Sequence, residues 1–356
     1  MSTKKVVIDG HIISPEKPPY IIAELSANHN GSLKKALETI TMAKESGANA
    51  VKIQTYSADT MTIDSTQNDF QITDGLWKGK SLYQLYQQAQ TPFEWHKELF
   101  EHARSIGITI FSSPFDETAV DLLESLNCPA YKLASFELTD IPLIKYIAKT
   151  GKPIIMSTGM ANKDEILQAI TTAKTTGCQQ LVVLHCISAY PAPLEQCNLL
   201  TMVDLGQSFD VMTGLSDHTL GTTAAITATA LGACIIEKHV TLNRKEKGPD
   251  SDFSLEPKEL KQLVDETKAA WSTIGSVSYT QQPSEQQNVK FRRSLYFVKD
   301  IKAGETITKN CIRRIRPGYG LPPKFHQQII GLTATQDILR GTPVKWGLLN
   351  KINNDN

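Results

Sequence analysis

The chain is a succession of short apolar runs, each ending abruptly in polar residues and each followed by a stretch with helical spacing. Tyr20-Ile21-Ile22-Ala23-Glu24 reads as a buried strand. Ser32 then caps a helix running to about position 46, with Leu33, Ala36, Leu37 and Ile40 on one face, and Gly47 ends it. Ala50-Val51-Lys52-Ile53-Gln54 is the next strand. From Ile108 the beat is regular, with strands around Ile110, Lys132, Ile155, Val183, Gly214 and Ile236. Helices separate them over about 117–126, 141–149, 163–176, 199–206 and 221–231, and a last helix covers about 257–274. Continuous apolar strands alternating with helices predict an all-parallel sheet covered by helices. Counting from Ile22 to Ile236 gives eight strands, which predicts an α/β fold of the closed (β/α)8 TIM-barrel type. An open nucleotide-binding sheet would carry a glycine-rich turn after its first strand, and Ser26-Ala27-Asn28-His29-Asn30-Gly31 is not one.

Three stretches break the rhythm. Positions 6–13 predict a short hairpin that plugs or covers one end of the fold. Positions 55–90 form a long insertion, of the kind that serves as a lid or specificity element. The helix after it, over 91–105, is expected to carry Pro92 just inside its N-terminus. Beyond Gly275 the composition turns polar and Gln-rich, so 277–290 reads as a linker. A small β-rich unit follows. The expected organisation is a barrel domain over 1–276, the linker over 277–290 and an accessory domain over 291–356.

Charge and composition narrow the function classes. Lys plus Arg and Asp plus Glu number 37 each, so no electrostatic case exists for a nucleic-acid or anionic-membrane partner. The six cysteines form no CxxC pair and suit buried, reduced thiols. No signal peptide and no transmembrane run is expected, which makes a cytoplasmic enzyme the default.

In a barrel, chemistry sits at the C-terminal ends of the strands. Those ends carry Glu24, Lys52, Gln54, Ser113, Lys132, Ser135, Glu137, Ser157, Tyr190, Ser216, His218, Glu237 and His239. Two strand lysines are costly to bury unless an anion neutralises them. Lys52 and Lys132 with Ser113, Ser135, Ser157 and Ser216 predict a pocket of two cations and four hydroxyls, suited to a phosphate or a phosphate plus carboxylate. His218 and His239, ending consecutive strands, are placed to hold one divalent metal, or simply to finish their strands with local hydrogen bonds. Lys132 also admits a Schiff-base role, which the surrounding hydroxyls and paired histidines favour less. Glu24 and Glu237 are candidates for acid–base work or for orienting an imidazole. Lys238 alternates with Glu237 and His239 and is expected to point away from the barrel interior. His29, in the first top loop, is a candidate substrate contact, whereas His185 has no partner that makes it a ligand.

Several motifs in order resemble the sialic acid synthases: Asn28-His29-Asn30-Gly31, Val51-Lys52-Ile53-Gln54-Thr55, Ser113-Pro114-Phe115, Tyr131-Lys132, Ser157-Thr158-Gly159-Met160, Gly214-Leu215-Ser216-Asp217-His218-Thr219, Glu237-Lys238-His239 and Arg316-Pro317-Gly318. The resemblance covers nearly the whole chain, and the C-terminal unit resembles the antifreeze-like (SAF) domain of that family. Ala23-Glu24-Leu25-Ser26-Ala27-Asn28-His29, Gly75-Leu76-Trp77, Thr91-Pro92-Phe93-Glu94-Trp95-His96 and Ala134-Ser135-Phe136-Glu137 most resemble the branch whose amino sugar is a diacetamido-trideoxy-altrose. Branches using another N-acetyl amino sugar, the sialic and legionaminic ones, are the alternative.

The resemblance implies a transferase that condenses phosphoenolpyruvate with an N-acetylated amino sugar, giving a nine-carbon keto acid and phosphate. It implies a divalent ion, Mn2+, Mg2+ or Co2+, on His218 and His239, and phosphoenolpyruvate on Lys52, Ser113, Lys132, Ser135, Ser157 and Ser216. Glu24, Gln54 and Glu237 are implied at the reacting centre, and His29, Tyr190, Asp250 and Arg316 at the sugar. It also implies a domain-swapped homodimer in which the C-terminal domain covers the partner's active site. The sialic branch carries Asn where this chain has Ser188, so that sugar contact is not carried over.

Overall fold

The computed structural model describes residues 4–75 and 77–350. Leu76 of the Gly75-Leu76-Trp77 motif and the end of the accessory domain, 351–356, lie outside them. Contacts divide the chain into two compact units, Met1–Gly275 and Ser276–Asn356.

The first unit opens with the expected hairpin, β1 Val6–Ile8 and β2 His11–Ile13, paired antiparallel. Eight parallel strands follow among the described residues: β3 Tyr20–Glu24, β4 Ala50–Thr55, β5 Thr109–Pro114, β6 Tyr131–Leu133, β7 Ile154–Ser157, β8 Leu181–Cys186, β9 Met212–Asp217 and β10 Ile235–His239. They close in sequence order, β10 pairing with β3. This is the predicted (β/α)8 barrel. β3, β5, β7, β8 and β10 are buried at every position, because the barrel interior takes one face and the helices the other. That is why they read as unbroken apolar runs. Gly214 in β9 answers a local need: a Cβ there would lie 2.3 Å from the Ile235 carbonyl oxygen and 2.8 Å from Leu184 Cδ2.

The helices are α1 Leu33–Glu45, α2 Ala58–Met61, α3 Leu82–Ala89, α4 His96–Ser105, α5 Glu117–Ser125, α6 Ile141–Ala148, α7 Lys163–Thr176, α8 Leu200–Phe209, α9 Thr223–Ala230 and α10 Pro257–Ile274. Their starts are set by side-chain caps on orphan backbone N–H groups. Ser32, Asp116 and Asp140 each accept from the third residue of their helix, at Lys35, Ala119 and Leu143. The hairpin closes the N-terminal end of the barrel. Val6, Ile8 and Ile13 enter the main core, Val7 N–H donates to Gln180 Oε1 just before β8, and Asp9 accepts from Thr109 at the start of β5. The opposite end is left for chemistry.

Two expectations are corrected. The long insertion is not a bare loop, since α2 and α3 lie within it. Capping boxes Ser57/Thr60 and Ser81/Gln84 start them, each side chain taking the other residue's backbone N–H. Ahead of α4, Phe93–Trp95 is a 3-10 turn with Pro92 preceding it, so Pro92 lies outside the α-helix it was expected to open.

The second unit has its own core of Leu295, Phe297, Ile301, Ile307, Cys311, Ile338 and Val344. The stretch read as a linker carries a run of 3-10 turns, Pro283–Phe291, within this unit. β11 Ser294–Phe297 pairs antiparallel with β12 Ile312–Ile315, the short helix α11 His326–Ile329 follows, and β13 Thr333–Ala334 pairs with β14 Leu349–Asn350. The described cysteines are all free and buried. Among the described residues no helix is long and apolar enough to cross a membrane.

Candidate active site

At the C-terminal end of the barrel a cavity of about 260 Å³ opens. The period of two along each strand decides what lines it. Lys52, Gln54 and Tyr56 project into it from β4 and the residue beyond, as do Ser216 and His218 from β9 and the residue beyond, and Glu237 and His239 from β10. Lys132, Ser135, Ser157, Tyr190 and Asp250 complete the predicted part of the wall.

The floor is ionic. Lys52 Nζ lies 3.1 Å from Glu24 Oε2 and 3.4 Å from Glu237 Oε1, and donates to Ser113 Oγ at 3.2 Å. Lys132 Nζ donates to Ser157 Oγ at 2.6 Å and to the Leu133 carbonyl at 3.0 Å, and lies 3.9 Å from Glu237. Ser216 Oγ donates to Glu237 Oε1 at 3.1 Å. All four charged groups are buried. Burial pushes Glu24 up to about 7 against the opposing pull of Lys52. Glu237 is buried too, but Lys132 and Lys52 hold it below the usual carboxylate range. Burial lowers Lys132, while the two carboxylates more than offset burial at Lys52 and raise it.

This changes the predicted anion pocket. The lysines and hydroxyls are together, but Glu237 sits between the lysines and Glu24 sits on the other side of Lys52, so each ammonium already has a carboxylate near it. Glu24 and Ser113 stand one layer behind the wall, touching Lys52 rather than the cavity. Gln54 joins the layers: its Nε2 donates to Glu24 Oε1 at 2.9 Å and to Ser26 Oγ at 3.1 Å, and Ser26 Oγ donates to Asp250.

On the far wall the rings of His218 and His239 are 5.3 Å apart, centroid to centroid. His218 Nδ1 bonds to the Ile187 carbonyl at 2.9 Å, which leaves Nε2 for another partner. His239 Nδ1 is buried with no hydrogen-bond partner, and the nearest carboxylate, Asp250 Oδ2, is 4.0 Å away. Burial, with His218 and Lys52 close by, lowers His239 well below the ordinary imidazole value and keeps it neutral. Among the described residues no set of three His, Cys, Asp or Glu is gathered as a ready metal cage. Two adjacent imidazoles, one with an orphan nitrogen, fit a divalent cation whose other positions go to substrate and water. The Tyr190 ring stands 4.4 Å from His218 and 6.4 Å from His239.

His29 is the clearest displacement from expectation. It is fully buried behind the wall, its Nδ1 accepts from Gly31 N–H at 3.0 Å, and its ring meets Trp95 edge-on. It supports the first loop rather than facing the cavity, and burial lowers it to about 4. Arg316 follows β12 in the second unit, with its side chain exposed. Ser188 lies near Cys186, with Oγ 3.9 Å from Sγ. Lys238 points away from the interior, as alternation demands, and bonds Asp217. His185 donates to or accepts from nothing in the cavity; its Nε2 pairs with the Cys197 carbonyl.

Sequence reasoning gave no role to Tyr56, Glu137 or Cys186, all on the wall, nor to Ser26. Tyr56 was findable, since it continues the Lys52, Gln54 alternation. Glu137 was noted among the strand ends; burial lifts it to about 7. Cys186 ends β8 directly opposite Ser216. The insertion adds an apolar flank of Met61, Trp77, Leu85, Tyr86 and Ala89.

Residues 39–279 match the NeuB family, and residues 292–350 match the SAF domain. The chain belongs to the NeuB family. Among NeuB relatives, it is 46% identical over 329 residues to the pseudaminic acid synthase of Helicobacter pylori, covering 92% of this chain and 97% of that protein. To the N,N'-diacetyllegionaminic acid synthase of Campylobacter jejuni it is 38% identical, over 90% of this chain and 97% of that one. The crystal structure of N-acetylneuraminic acid (sialic acid) synthetase from Leptospira borgpetersenii, in complex with citrate, superposes with a TM-score of 0.73 at 31% identity, over 82% of this chain and 96% of that one. NeuB membership makes the chain a sugar-acid synthase.

Proposed function

We propose that the chain condenses phosphoenolpyruvate with the open-chain aldehyde of a diacetamido-trideoxy-L-altrose, giving pseudaminic acid and phosphate. One observation carries this reading: a single cavity joins a lysine–serine floor to a wall of two facing imidazoles. The likeness to the Helicobacter pylori protein over nearly the full chain supports the choice of sugar.

The floor binds the phosphate and carboxylate of phosphoenolpyruvate through Lys52, Lys132, Ser135, Ser157 and Ser216, with Ser113 holding Lys52. His218 and His239 hold Mn2+, Mg2+ or Co2+, which supplies Lewis-acid polarisation of the aldehyde when bound. Carbon three of phosphoenolpyruvate then attacks the aldehyde carbon and forms the new C–C bond. Water adds at carbon two, and phosphate leaves by C–O cleavage. Glu24, at about 7, exists in both protonation states near neutral pH, as a proton reservoir must. It communicates with the cavity through Lys52 and Gln54. Because Gln54 spends its amide N–H groups on Glu24 and Ser26, its carbonyl oxygen is the atom left to meet substrate or water. Glu237 stays ionised, spaces the lysines and orients Ser216. Tyr190 and Asp250 place the sugar.

The apolar flank from α2 and α3 faces a sugar that ends in a methyl group, and a hydroxymethyl end would lie there without hydrogen bonds. Phosphate release with each amino sugar tests both points. Turnover is expected to favour the diacetamido-altrose over N-acetylmannosamine, and Leu85→Asn is expected to shrink that preference about tenfold. Preference for N-acetylmannosamine by the unaltered chain would overturn the choice of sugar.

We also propose that the chain works as a homodimer whose SAF unit covers the partner's cavity and brings Arg316 to an N-acetyl group. Phe136, Met160, Leu194, Leu200 and Leu220, which follow β6 to β9, are all exposed at the cavity end of the barrel, between 49 and 73%. An apolar face of this kind is a docking surface for another protein. Sedimentation is expected to show a dimer for the unaltered chain and a monomer for Met160→Asp/Leu200→Asp. A monomeric unaltered chain would refute the assembly.

A further inference from the structure

Each histidine of the proposed metal pair has a buried charge as its neighbour in the chain, on the opposite face of the sheet. Asp217 precedes His218 and Lys238 precedes His239. β9 and β10 lie side by side with Lys238 in register with Asp217. Lys238 Nζ donates to Asp217 Oδ2 at 2.7 Å and to the Thr219 carbonyl at 2.6 Å, while Asp217 Oδ1 accepts from Thr219 N–H at 2.8 Å. Both charged side chains are 1% exposed. None of these groups lines the cavity.

A buried ion pair is a poor way to stabilise a barrel, because two apolar side chains of similar size serve as well or better. What an apolar pair lacks is direction. Here one ammonium grips the residue before His218 by its carboxylate and the residue after it by its carbonyl. Asp217 holds the second of those residues again through its N–H. The backbone on both sides of His218 is therefore fixed by the neighbour of His239. Both imidazoles take their spacing from the same few hydrogen bonds, and a cation shared between them is sensitive to that spacing.

We propose that the Asp217–Lys238–Thr219 network is a positioning device that sets the distance between His218 and His239 from behind the sheet. This rests on the reading of those histidines as metal ligands. The test uses the full chain and Mn2+ alone, titrated by calorimetry, with Tm measured alongside. Lys238→Met strands Asp217 as a buried unpaired charge, so its Tm falls. Asp217→Leu/Lys238→Met removes both charges and recovers most of the Tm. In both variants the Kd for Mn2+ is expected to rise about tenfold or more. KM for phosphoenolpyruvate, set by the lysine floor, stays within about twofold while kcat falls. A double variant that recovers its Tm and binds Mn2+ within about twofold of the unaltered chain overturns the proposal and leaves the network a purely structural one. An unaltered chain that binds no Mn2+ overturns the metal reading as well. If the apolar variants fold poorly, Asp217→Asn, which keeps the side-chain shape, answers the same question by the same titration.

Discussion

Lys52→Met is expected to lower kcat/KM for phosphoenolpyruvate by about a thousandfold, the upper range for loss of one preorganised donor in a water-excluded site. The size follows from where Lys52 stands. Its ammonium touches Glu24 at 3.1 Å, Glu237 at 3.4 Å and Ser113 at 3.2 Å. Removing it takes away the proposed anion anchor and also leaves two carboxylates buried, one with no counter-ion and one with only Lys132 at 3.9 Å. Glu24, already raised to about 7, then stays protonated at neutral pH and no longer cycles between its two forms. Phosphate-release kinetics with a parallel melting curve separate the two consequences. Loss of turnover in a variant that still melts cooperatively supports the anchor. Turnover within about tenfold of the unaltered chain would remove Lys52 from the chemistry.

Chelation is expected to abolish turnover, and added Mn2+ to restore it. His239→Ala and His218→Ala are expected to fall about a thousandfold, equivalent to ~4 kcal/mol of lost transition-state stabilisation, with no rescue by added Mn2+. His239 is the sharper test. Its Nδ1 is buried without a partner, so truncation removes an unsatisfied polar group and is not expected to destabilise the barrel greatly. A His239→Ala chain with unchanged, chelator-sensitive turnover would place the metal elsewhere.

The barrel was legible because its strands are buried on both faces, which prints each as an apolar run. The strand centres predicted near Ile22, Val51, Ile110, Lys132, Ile155, Val183, Gly214 and Ile236 all fall inside observed strands. The inward set was legible by alternation, since Lys52, Gln54, Ser216, His218, Glu237 and His239 obey a period of two. What alternation cannot give is depth. Glu24 and Lys52 are in register on neighbouring strands, yet Lys52 reaches the cavity and Glu24 lies behind it, a matter of side-chain length and barrel shear. His29 was misplaced for a related reason: a polar residue in a top loop looks available, but Gly31 and Trp95 hold it inside. The insertion was misread because its helices are short and Ser57 carries Thr60 rather than Glu or Gln at the third position, although Ser81 with Gln84 is a capping-box pattern that marks the start of α3.

The alternation of Glu24, Lys52, Glu237 and Lys132 across the floor has a consequence for selectivity among anions. A cavity with two bare lysines would accept any small anion in the surrounding solution. Here each ammonium already has a carboxylate, so an entering anion gains only what it adds beyond the partners it displaces. Chloride, with one charge and no direction, offers the lysines less than the carboxylates they have. A guest with two anionic groups, reaching both lysines and several serines at once, can outbid them. The floor's own ion pairs thus weigh against simple ions and favour a guest that meets both lysines.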